Sequence, residues 1–283
     1  MWYNLGVSVP SRVRALGRLA WFVVGSWLVT AGALAGILSP YPHRWRRTAP
    51  HIARWARLGA RCLGVRVTVV GPPPPAGSLV VANHQGYADI VTIGGLTPCI
   101  FAARHDMRRW PLLGVLARLA GTVFINRDKS RESYRGVAQV TAALKAGATV
   151  IAFPEGTSTD GTGLLPFRTG IFQPAVDAAC PVAPAAIVYR TLDGEPVTDA
   201  NRDMVGWFRG EPFLGHLLRL AGIRRVDAEV RFGPTVEASC EDRKTLARKA
   251  EAAVRELLGV PAGAYPREVG RTDRTTPPAG APA

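Results

Sequence analysis

The feature that most limits how this chain can fold is an apolar segment near its start. Leu19 to Leu38 are 20 consecutive residues that carry no charge. A helix of this length is about 30 Å long, which matches the hydrocarbon core of a bilayer. A segment this apolar is not stable with water on all sides, so it has to lie against lipid or inside the protein core.

Arginines lie on both sides of this segment: Arg12, Arg14 and Arg18 before it, and Arg44, Arg46, Arg47, Arg54, Arg57 and Arg61 after it. One interpretation is a single membrane span, with the rest of the chain on the cytoplasmic side. Another is a pair of helices, Leu19 to Leu38 and His51 to Leu63, that dips into one leaflet. The sequence leaves both open, together with a cleaved signal peptide and a helix buried in the protein core.

The positive charge of the chain is concentrated in its first third. Residues 1 to 88 contain ten arginines and no acidic residue, which leaves only +4 of the total charge of +14 for the other 195 residues. Such a region requires an anionic neighbour, and we expect the cytoplasmic face of the cell membrane. Nucleic acid is not expected as a partner, because the arginines flank an apolar segment rather than alternate with exposed aromatic residues. A basic protein that only binds the membrane surface is the non-enzymatic alternative.

After the apolar segment, strand-like and helical patterns alternate. The predicted strands are Val65 to Val70, Leu79 to Ala82, Ile100 to Ala103, Thr122 to Ile125, Thr149 to Phe153, Val182 to Val188 and Asp227 to Phe232. The predicted helices are Trp110 to Leu119, Ser130 to Gly147, Ile171 to Ala179 and a last one that follows a capping box of Ser239 and Asp242. The alternation predicts an α/β fold with a single sheet flanked by helices, preceded by an N-terminal membrane-associated helical segment.

These patterns divide the chain into three regions. Residues 1–64 are the predicted membrane-anchoring helical region, and residues 65–260 are the predicted α/β domain. Residues 261–283 are rich in Pro, Gly and Thr, and we expect this tail to be disordered.

Several common enzyme signatures are absent from the sequence: GxSxG, GxGxxG, the Walker A loop and HExxH. The most informative polar residues follow the strand Leu79 to Ala82, where His84 falls in the loop and Asp89 in the first turn of the next helix. Gly86 between them lets the carboxylate approach Nδ1 of the imidazole and leaves Nε2 free as a general base. An isolated pair of this spacing is also compatible with an ordinary turn histidine and a helix-start aspartate.

The surrounding sequence gives this pair a context. Asn83-His84-x4-Asp89 resembles the first motif of the glycerolipid acyltransferase family, typified by bacterial 1-acylglycerol-3-phosphate acyltransferase. Three further blocks follow in the order of that family: Gly121 to Arg127, Phe153 to Thr157 and Pro181 to Pro184. The resemblance covers residues 60 to 235, and four ordered blocks are far more specific than any one of them.

The resemblance implies that His84 and Asp89 are catalytic. It also implies that the substrate is bound by Arg127, Glu155, Gly156, Thr157 and Arg168. Arg127 is implied to contact the phosphate of the acceptor, and an arginine at position 168 can serve as a second anion ligand. The residues themselves agree, because Arg127 and Glu155 follow strands, and α/β sheets bind ligands at the carboxyl ends of their strands. Glu155 can accept a hydrogen bond from a substrate hydroxyl, and Gly156 allows a close backbone approach.

The third motif departs from the family pattern. The family usually continues Glu-Gly-Thr-Arg-Ser, whereas this chain reads Glu-Gly-Thr-Ser-Thr-Asp-Gly from Glu155 to Gly161. The missing arginine normally helps to hold the acceptor phosphate. The loop, and the region from Trp207 to Leu218, resemble a branch that includes lyso-ornithine lipid acyltransferases, whose acceptor carries an amine that Glu155 or Asp160 would bind.

The expected protein is a membrane-bound O-acyltransferase. It would transfer a fatty acyl group from acyl-CoA or acyl carrier protein to the free hydroxyl of a lysophospholipid. The first acceptor to consider is 1-acylglycerol-3-phosphate, which would give phosphatidic acid; lyso-ornithine lipid or another lysolipid is the alternative. The chemistry requires no metal and no organic cofactor.

Overall fold

The computed structural model of the chain describes residues 9–38, 43–105, 114, 117–118, 121–125, 130–239 and 241–270. The predicted helix from Trp110 to Leu119 lies mostly outside these residues, and Arg127 lies outside them as well. Two long helices come first, and strands then alternate with helices.

A single sheet forms the centre of the described part of the chain. Its strands are β1 (Val65–Val70), β2 (Leu79–Ala82), β3 (Cys99–Arg104), β4 (Val123–Ile125), β5 (Thr149–Ala152), β6 (Val182–Leu192), β7 (Glu195–Pro196) and β8 (Val226–Phe232). They are arranged in the order β1-β8-β6-β2-β5-β3-β4, and β7 pairs with β6. Neighbours from β6 to β4 are parallel, as are β1 and β8, whereas β8 is antiparallel to β6.

Helices flank this sheet, as predicted. They are α1 (Val9–Ile37), α2 (His43–Cys62), α3 (Ala88–Gly94), α4 (Ser130–Lys145), α5 (Gln173–Ala178), α6 (Phe213–Gly222) and α7 (Arg243–Leu258). Short 3-10 turns occur at Thr169–Phe172 and Arg202–Met204. Helix α7 packs against β6, and α2 packs against α3 and β3. The structure therefore confirms the α/β fold.

The central strands are buried on both faces. All four residues of β2 and all four of β5 are buried, which matches their continuous runs of aliphatic residues. Strand β8 instead alternates buried and half-buried residues. The loops that follow β2 and β5 at their carboxyl ends therefore start from strands that are fully buried.

The two N-terminal helices pack against each other. The indole Nε1 of Trp55 on α2 donates to Ser26 Oγ on α1 at 3.0 Å. Gly25 permits a close approach, because a Cβ there would lie 2.4 Å from Leu58 Cδ2. At its start, α1 also rests on α6: Arg14 and Arg18 donate to carbonyl groups of Ala221, Gly222, Ile223 and Arg224, at and beyond the carboxyl end of α6. A helix end has unpaired carbonyls and a partial negative charge, so these arginines stabilise it.

Most of the apolar surface of α1 is left uncovered by the described residues. Ser11–Ala33 is long and apolar enough to cross a membrane, and only 11% of its most apolar part is buried. Trp21, Trp27 and Leu28 are 63%, 73% and 70% exposed. The alternative of a helix buried in the protein core is therefore wrong, because too little of the apolar segment finds a protein neighbour.

Two of the predicted helix starts are wrong. Helix α2 begins at His43 rather than at His51, and Pro50 lies inside it. The last helix is capped by Asp242 rather than by Ser239, because the Asp242 carboxylate accepts hydrogen bonds from the backbone N–H groups of Lys244 and Thr245.

The predicted disorder of the tail is wrong for residues 261–270. Val269 forms an antiparallel bridge with Thr159, and the Gly270 N–H donates to the Ser158 carbonyl at 2.7 Å. The composition of the tail predicted disorder, but its backbone finds partners in the loop that follows β5. Residues 271–283 lie outside the described residues.

Candidate active site

The sheet brings the ends of two sequence motifs together. Because β2 and β5 are parallel neighbours, the segments that begin at Asn83 and Phe153 leave the same edge of the sheet. The Asn83 side chain fixes the first segment to β6: its Nδ2 donates to the Ile187 carbonyl at 3.0 Å, and its Oδ1 accepts from the Ile187 N–H at 2.7 Å. The amide of Asn83 thus continues the strand pairing at the point where β2 turns into the loop.

The loop after β2 carries His84, and the first turn of α3 carries Asp89. His84 Nδ1 lies 2.8 Å from Asp89 Oδ2, so the predicted contact is confirmed. The imidazole stacks on the Phe153 ring, with 4.2 Å between ring centroids and 15° between planes. The His84 side chain keeps 22% of its surface exposed, whereas that of Asp89 is fully buried. Solvent and ligands can therefore reach the imidazole but not the carboxylate.

The contacts of Asp89 determine which nitrogen of His84 carries the proton. Asp89 Oδ2 also accepts from the backbone N–H groups of Gln85 at 2.6 Å and Gly86 at 3.0 Å, and Asp89 Oδ1 accepts from the Tyr189 hydroxyl at 2.8 Å. A carboxylate surrounded by donors has no proton of its own to give, so His84 Nδ1–H is the donor toward it. In the neutral imidazole, Nε2 is then the nitrogen without a proton, as a general base requires.

Glu155 lies beside this pair, but it is buried. Its Oε1 accepts from the His84 N–H at 2.7 Å, and its Oε2 accepts from the Leu165 N–H at 2.9 Å. Burial raises the pKa of Glu155 to about 8, although the two backbone donors act in the opposite direction. The expectation that Glu155 contacts a substrate hydroxyl does not fit these contacts, because Glu155 is 2% exposed. Its carboxyl group instead holds the backbone of residues 83–87, the loop that carries His84 and is called the catalytic loop below.

The rest of the third motif forms a tight turn that packs against the tail. Gly156 has a φ of +79°, a left-handed conformation that favours glycine. The Thr157 hydroxyl donates to the Gly270 carbonyl at 2.9 Å. Asp160 is buried and accepts from the N–H and the hydroxyl of Thr162. Asp160 therefore stabilises the loop, and the expectation that it binds the amine of an acceptor is wrong.

The two arginines implied as anion ligands are placed differently. Arg168 is exposed, and its N–H donates to the Pro154 carbonyl at 3.1 Å, so it lies next to the third motif. Arg127 lies outside the described residues, but β4 ends two residues before it, at Ile125. Strand β4 is three strands away from β2, which corresponds to about 14 Å across the sheet.

A segment that we did not predict as part of the site packs against the catalytic loop. The Trp207 N–H donates to the Gln85 carbonyl at 2.8 Å, and the Ser158 hydroxyl donates to the Trp207 carbonyl at 2.7 Å. A Cβ at Gly86 would lie 2.8 Å from the Trp207 nitrogen, so only glycine fits there. The contacts of Trp207 with Gln85 and Gly86 span more than 100 residues of sequence, its contact with Ser158 spans 49, and no local pattern indicates any of them.

His216 on α6 holds this segment in place. Its Nε2 faces the carbonyls of Asp203 and Gly206, both at 3.1 Å, so Nε2 carries the proton and Nδ1 accepts from the Tyr87 hydroxyl at 2.6 Å. The His216 side chain is fully buried. Burial, with Arg219 nearby, lowers its pKa to about 4. Of the two histidines that contact this loop, His84 is partly exposed, whereas His216 is buried, neutral and surrounded by structural contacts.

Together, the fold and the site define a class of α/β protein with a histidine–carboxylate pair at the carboxyl edge of its sheet. The family model that matches the chain is the acyltransferase model, over residues 66–188. The chain is 37% identical over 209 residues to the lyso-ornithine lipid O-acyltransferase of Rhodobacter capsulatus, a match that covers 72% of this chain and 74% of that protein. It is 32% identical over 250 residues to the 1-acyl-sn-glycerol-3-phosphate acyltransferase of Neisseria meningitidis, covering 88% and 93%.

A solved structure has the same fold. The crystal structure of the 1-acyl-sn-glycerophosphate (LPA) acyltransferase PlsC from Thermotoga maritima matches with a TM-score of 0.57 and 21% identity, over 87% of this chain and 97% of that one. The chain belongs to the acyltransferase family that contains these lysolipid-acylating proteins. It is an acyltransferase of lipid metabolism, which confirms the resemblance inferred from its four motifs.

Proposed function

We propose that the protein is a membrane-bound O-acyltransferase that transfers a fatty acyl group from an acyl thioester to the free hydroxyl of a lysolipid. The observation that carries this proposal is the 2.8 Å contact between His84 Nδ1 and Asp89, which leaves Nε2 of an accessible imidazole unprotonated. A hydroxyl is a weak nucleophile at neutral pH, so its attack on a thioester needs a base of this kind.

The reaction proceeds by direct transfer. Nε2 of His84 accepts the proton of the acceptor hydroxyl while the hydroxyl oxygen bonds to the thioester carbonyl carbon. The carbon–sulfur bond breaks, and the departing sulfur takes the proton back from the imidazolium. Asp89 stabilises the imidazolium while it exists. No acyl-enzyme is needed, because Ser158, the serine of the third motif, is bonded to the Trp207 carbonyl rather than to a base.

The donor is acyl-CoA or an acyl thioester of acyl carrier protein, and no metal or organic cofactor takes part. Transfer from a thioester to a hydroxyl requires only a base and correct positioning of the two substrates.

The first acceptor that we propose is 1-acylglycerol-3-phosphate. Two relatives, from Neisseria meningitidis and Escherichia coli, are 1-acyl-sn-glycerol-3-phosphate acyltransferases. Arg168 is exposed beside the third motif, and Arg127 follows a strand that ends at the same edge of the sheet. Guanidinium groups at these positions suit a phosphate monoester.

A lyso-ornithine lipid is the second candidate, and two observations favour it. Ser158 occupies the position where the family pattern has an arginine, and it packs against Trp207 instead. The relatives from Rhodobacter capsulatus and Pseudomonas aeruginosa that share 37% identity are lyso-ornithine lipid O-acyltransferases. The buried carboxyls of Glu155 and Asp160 do not supply the acid that the ornithine amine needs, so this acid would come from another part of the site.

We also propose that the helix pair α1 and α2 attaches the protein to the cytoplasmic face of the cell membrane. The exposed apolar residues of α1 would enter the lipid, and the arginines of α2, such as Arg46, Arg47 and Arg54, would contact anionic headgroups. Because α2 packs along α1 and carries six arginines, insertion into one leaflet fits the pair better than a single span by α1.

One assay tests the proposed function. The purified full-length protein in anionic vesicles is given a labelled acyl group on CoA or on acyl carrier protein, with lysophosphatidate and lyso-ornithine lipid as parallel acceptors. We expect one of the two to be acylated with a clear preference over the other. If neither acceptor gains a labelled acyl chain from either donor, the proposed function is wrong.

A further inference from the structure

The catalytic pair has a third partner that lies beyond the recognised motifs. Tyr189 is on β6, is 6% exposed and donates its hydroxyl to Asp89 Oδ1 at 2.8 Å. The fourth motif ends at Pro184, and the region matched by the family model ends at residue 188, just before this tyrosine. Neither therefore includes it.

The two oxygens of Asp89 have different surroundings. Oδ2 accepts from three nitrogens, those of His84, Gln85 and Gly86, whereas Tyr189 is the one donor that the described residues give to Oδ1. The donors at Oδ2 are all in the catalytic loop, which moves with His84. Tyr189 instead belongs to a central strand of the sheet, so it connects the carboxylate to the rigid part of the fold.

The hydroxyl of Tyr189 is fixed as a donor. Burial raises the pKa of Tyr189 well above its ordinary value, with the nearby Asp89 carboxylate adding to the effect, so the phenol keeps its proton. Thr92 Oγ1 lies 3.4 Å from this hydroxyl and donates its own proton to the Ala88 carbonyl at 2.8 Å. The Tyr189 proton is therefore directed to Asp89 and not to Thr92.

We propose that Tyr189 is a positioning residue of the acyl-transfer reaction, which holds the Asp89 carboxylate in the orientation that aligns His84. The proposal rests on the proposed function, because it assigns Tyr189 a role through the His84 base. Without the hydroxyl, Oδ1 loses its donor, and the carboxylate is held only by the donors at Oδ2, which belong to the same loop as His84. The negative charge of Asp89 is then no longer shared with Tyr189 and acts more strongly on His84. This stabilises the imidazolium, which is the form of His84 that cannot accept a proton.

The test uses Tyr189→Phe, which removes the hydroxyl and keeps the ring, in full-length protein on vesicles. We expect kcat to fall about 10-fold, as for the loss of one hydrogen bond to a charged group, while KM for either substrate changes less than about two-fold. The acid limb of the pH–rate profile should move to higher pH. Thr92→Val is the matched control: it removes the other polar contact of Tyr189, and kcat and the acid limb should stay unchanged.

A double-mutant cycle separates positioning from structure. If Tyr189 acts through Asp89, adding Tyr189→Phe to Asp89→Ala changes kcat less than two-fold further. If the tyrosine were purely structural, Tyr189→Phe would lower the melting temperature equally in both backgrounds and leave the acid limb in place.

The proposal is overturned if Tyr189→Phe keeps its melting temperature, a kcat within two-fold of wild type and an unmoved acid limb. Should Tyr189→Phe not fold, the smaller Tyr189→Leu replaces it, and a fold-loss of kcat that is equal in the wild-type and Asp89→Ala backgrounds overturns the proposal. An inactive wild-type protein would overturn the proposed function, so the two failures are distinguishable.

Discussion

The N-terminal helix pair and the catalytic edge of the sheet use apolar residues in opposite ways. In β2 and β5 every residue is buried, and the polar groups that follow these strands are paired. In α1, large side chains such as Trp27 and Leu28 are 73% and 70% exposed. The comparison teaches that the fold pairs the polar groups at this edge by itself, whereas α1 carries large apolar side chains that no described residue covers.

The two regions are also connected. Helix α2 packs on α3, whose first turn carries Asp89, and α1 packs on α6, which carries His216. Attachment to a membrane through α1 and α2 would therefore place the catalytic edge at a fixed position relative to the lipid. This arrangement suits an acceptor that stays in the membrane during the reaction.

The largest expected effect tests the catalytic side of the comparison. Asp89→Asn can keep an oxygen toward His84, Gln85 and Gly86 by turning its amide nitrogen to the Tyr189 hydroxyl, so the variant removes the charge with little change in geometry. We expect kcat to fall roughly 10²- to 10⁴-fold, because the imidazolium loses its counter-charge. Steady-state acylation rates measure this, with circular dichroism as the control for folding. A kcat within a few-fold of wild type would show that Asp89 is not part of the reaction.

The next effect tests the membrane side. The double variant Trp27→Ser and Leu28→Ser removes two exposed apolar side chains, each worth about 2 kcal/mol in lipid, so the partition into vesicles should fall roughly 10³-fold. Flotation on anionic vesicles measures the partition. The matched control is Val69→Ser with Val70→Ser on β1, where two valines are 44% and 46% exposed, and it should float like wild type. Equal losses in both double variants would mean that α1 is not a specific anchor.

A smaller effect concerns the acid stability of the segment beside the catalytic loop. His216 has a pKa of about 4 in the folded state and about 6.5 in the unfolded chain, so the unfolded state binds the proton more readily. Stability from this residue is fully present above pH 6.5 and is lost as the pH falls toward 4, by up to roughly 3 kcal/mol. Urea unfolding at several pH values measures the loss. His216→Gln should be less stable at pH 7 but should lose less stability between pH 6.5 and 4; an identical slope for both proteins would contradict the assignment.

The smallest effect sharpens the question of the acceptor. Arg168→Lys keeps the charge but loses the paired donors of the guanidinium, so the KM for lysophosphatidate should rise a few-fold with little change in kcat. Arg248→Lys, at an exposed position on α7, is the matched control and should not change KM. If Arg168→Lys leaves KM unchanged for both lysolipids, Arg168 does not contact the headgroup.

The sequence predicted the parts of the fold that local patterns determine. The bounds of β1 and β2 are those expected from VRVTVV and LVVA, because runs of β-branched and aliphatic residues specify buried strands. The approach of Asp89 to His84 was also predicted, since Gly86 and the strand-to-helix turn bring two near neighbours together. Helix α2 was predicted to start at His51, eight residues too late, and the helix continues through Pro50.

Contacts between distant segments were not predictable in this way. Tyr189 and Asp89 are 100 residues apart, and nothing in the spacing of either residue indicates the other. Glu155 was expected to face substrate because it follows a strand, but the fold places a backbone N–H on each of its oxygens. The order of residues 261–270 likewise depends on partners near residue 160, which composition alone does not reveal.

The most direct test of the account is the rate of acyl transfer by His84→Ala. The full-length variant and the wild type are compared on the same anionic vesicles, with equal binding to the vesicles and equal melting temperatures, using labelled thioester and whichever lysolipid the wild type prefers. The account predicts that kcat falls at least ~10²-fold, because no other described base replaces Nε2, and that added imidazole restores part of the rate. Acylation by His84→Ala within a few-fold of wild type would contradict the central claim that this histidine activates the acceptor hydroxyl.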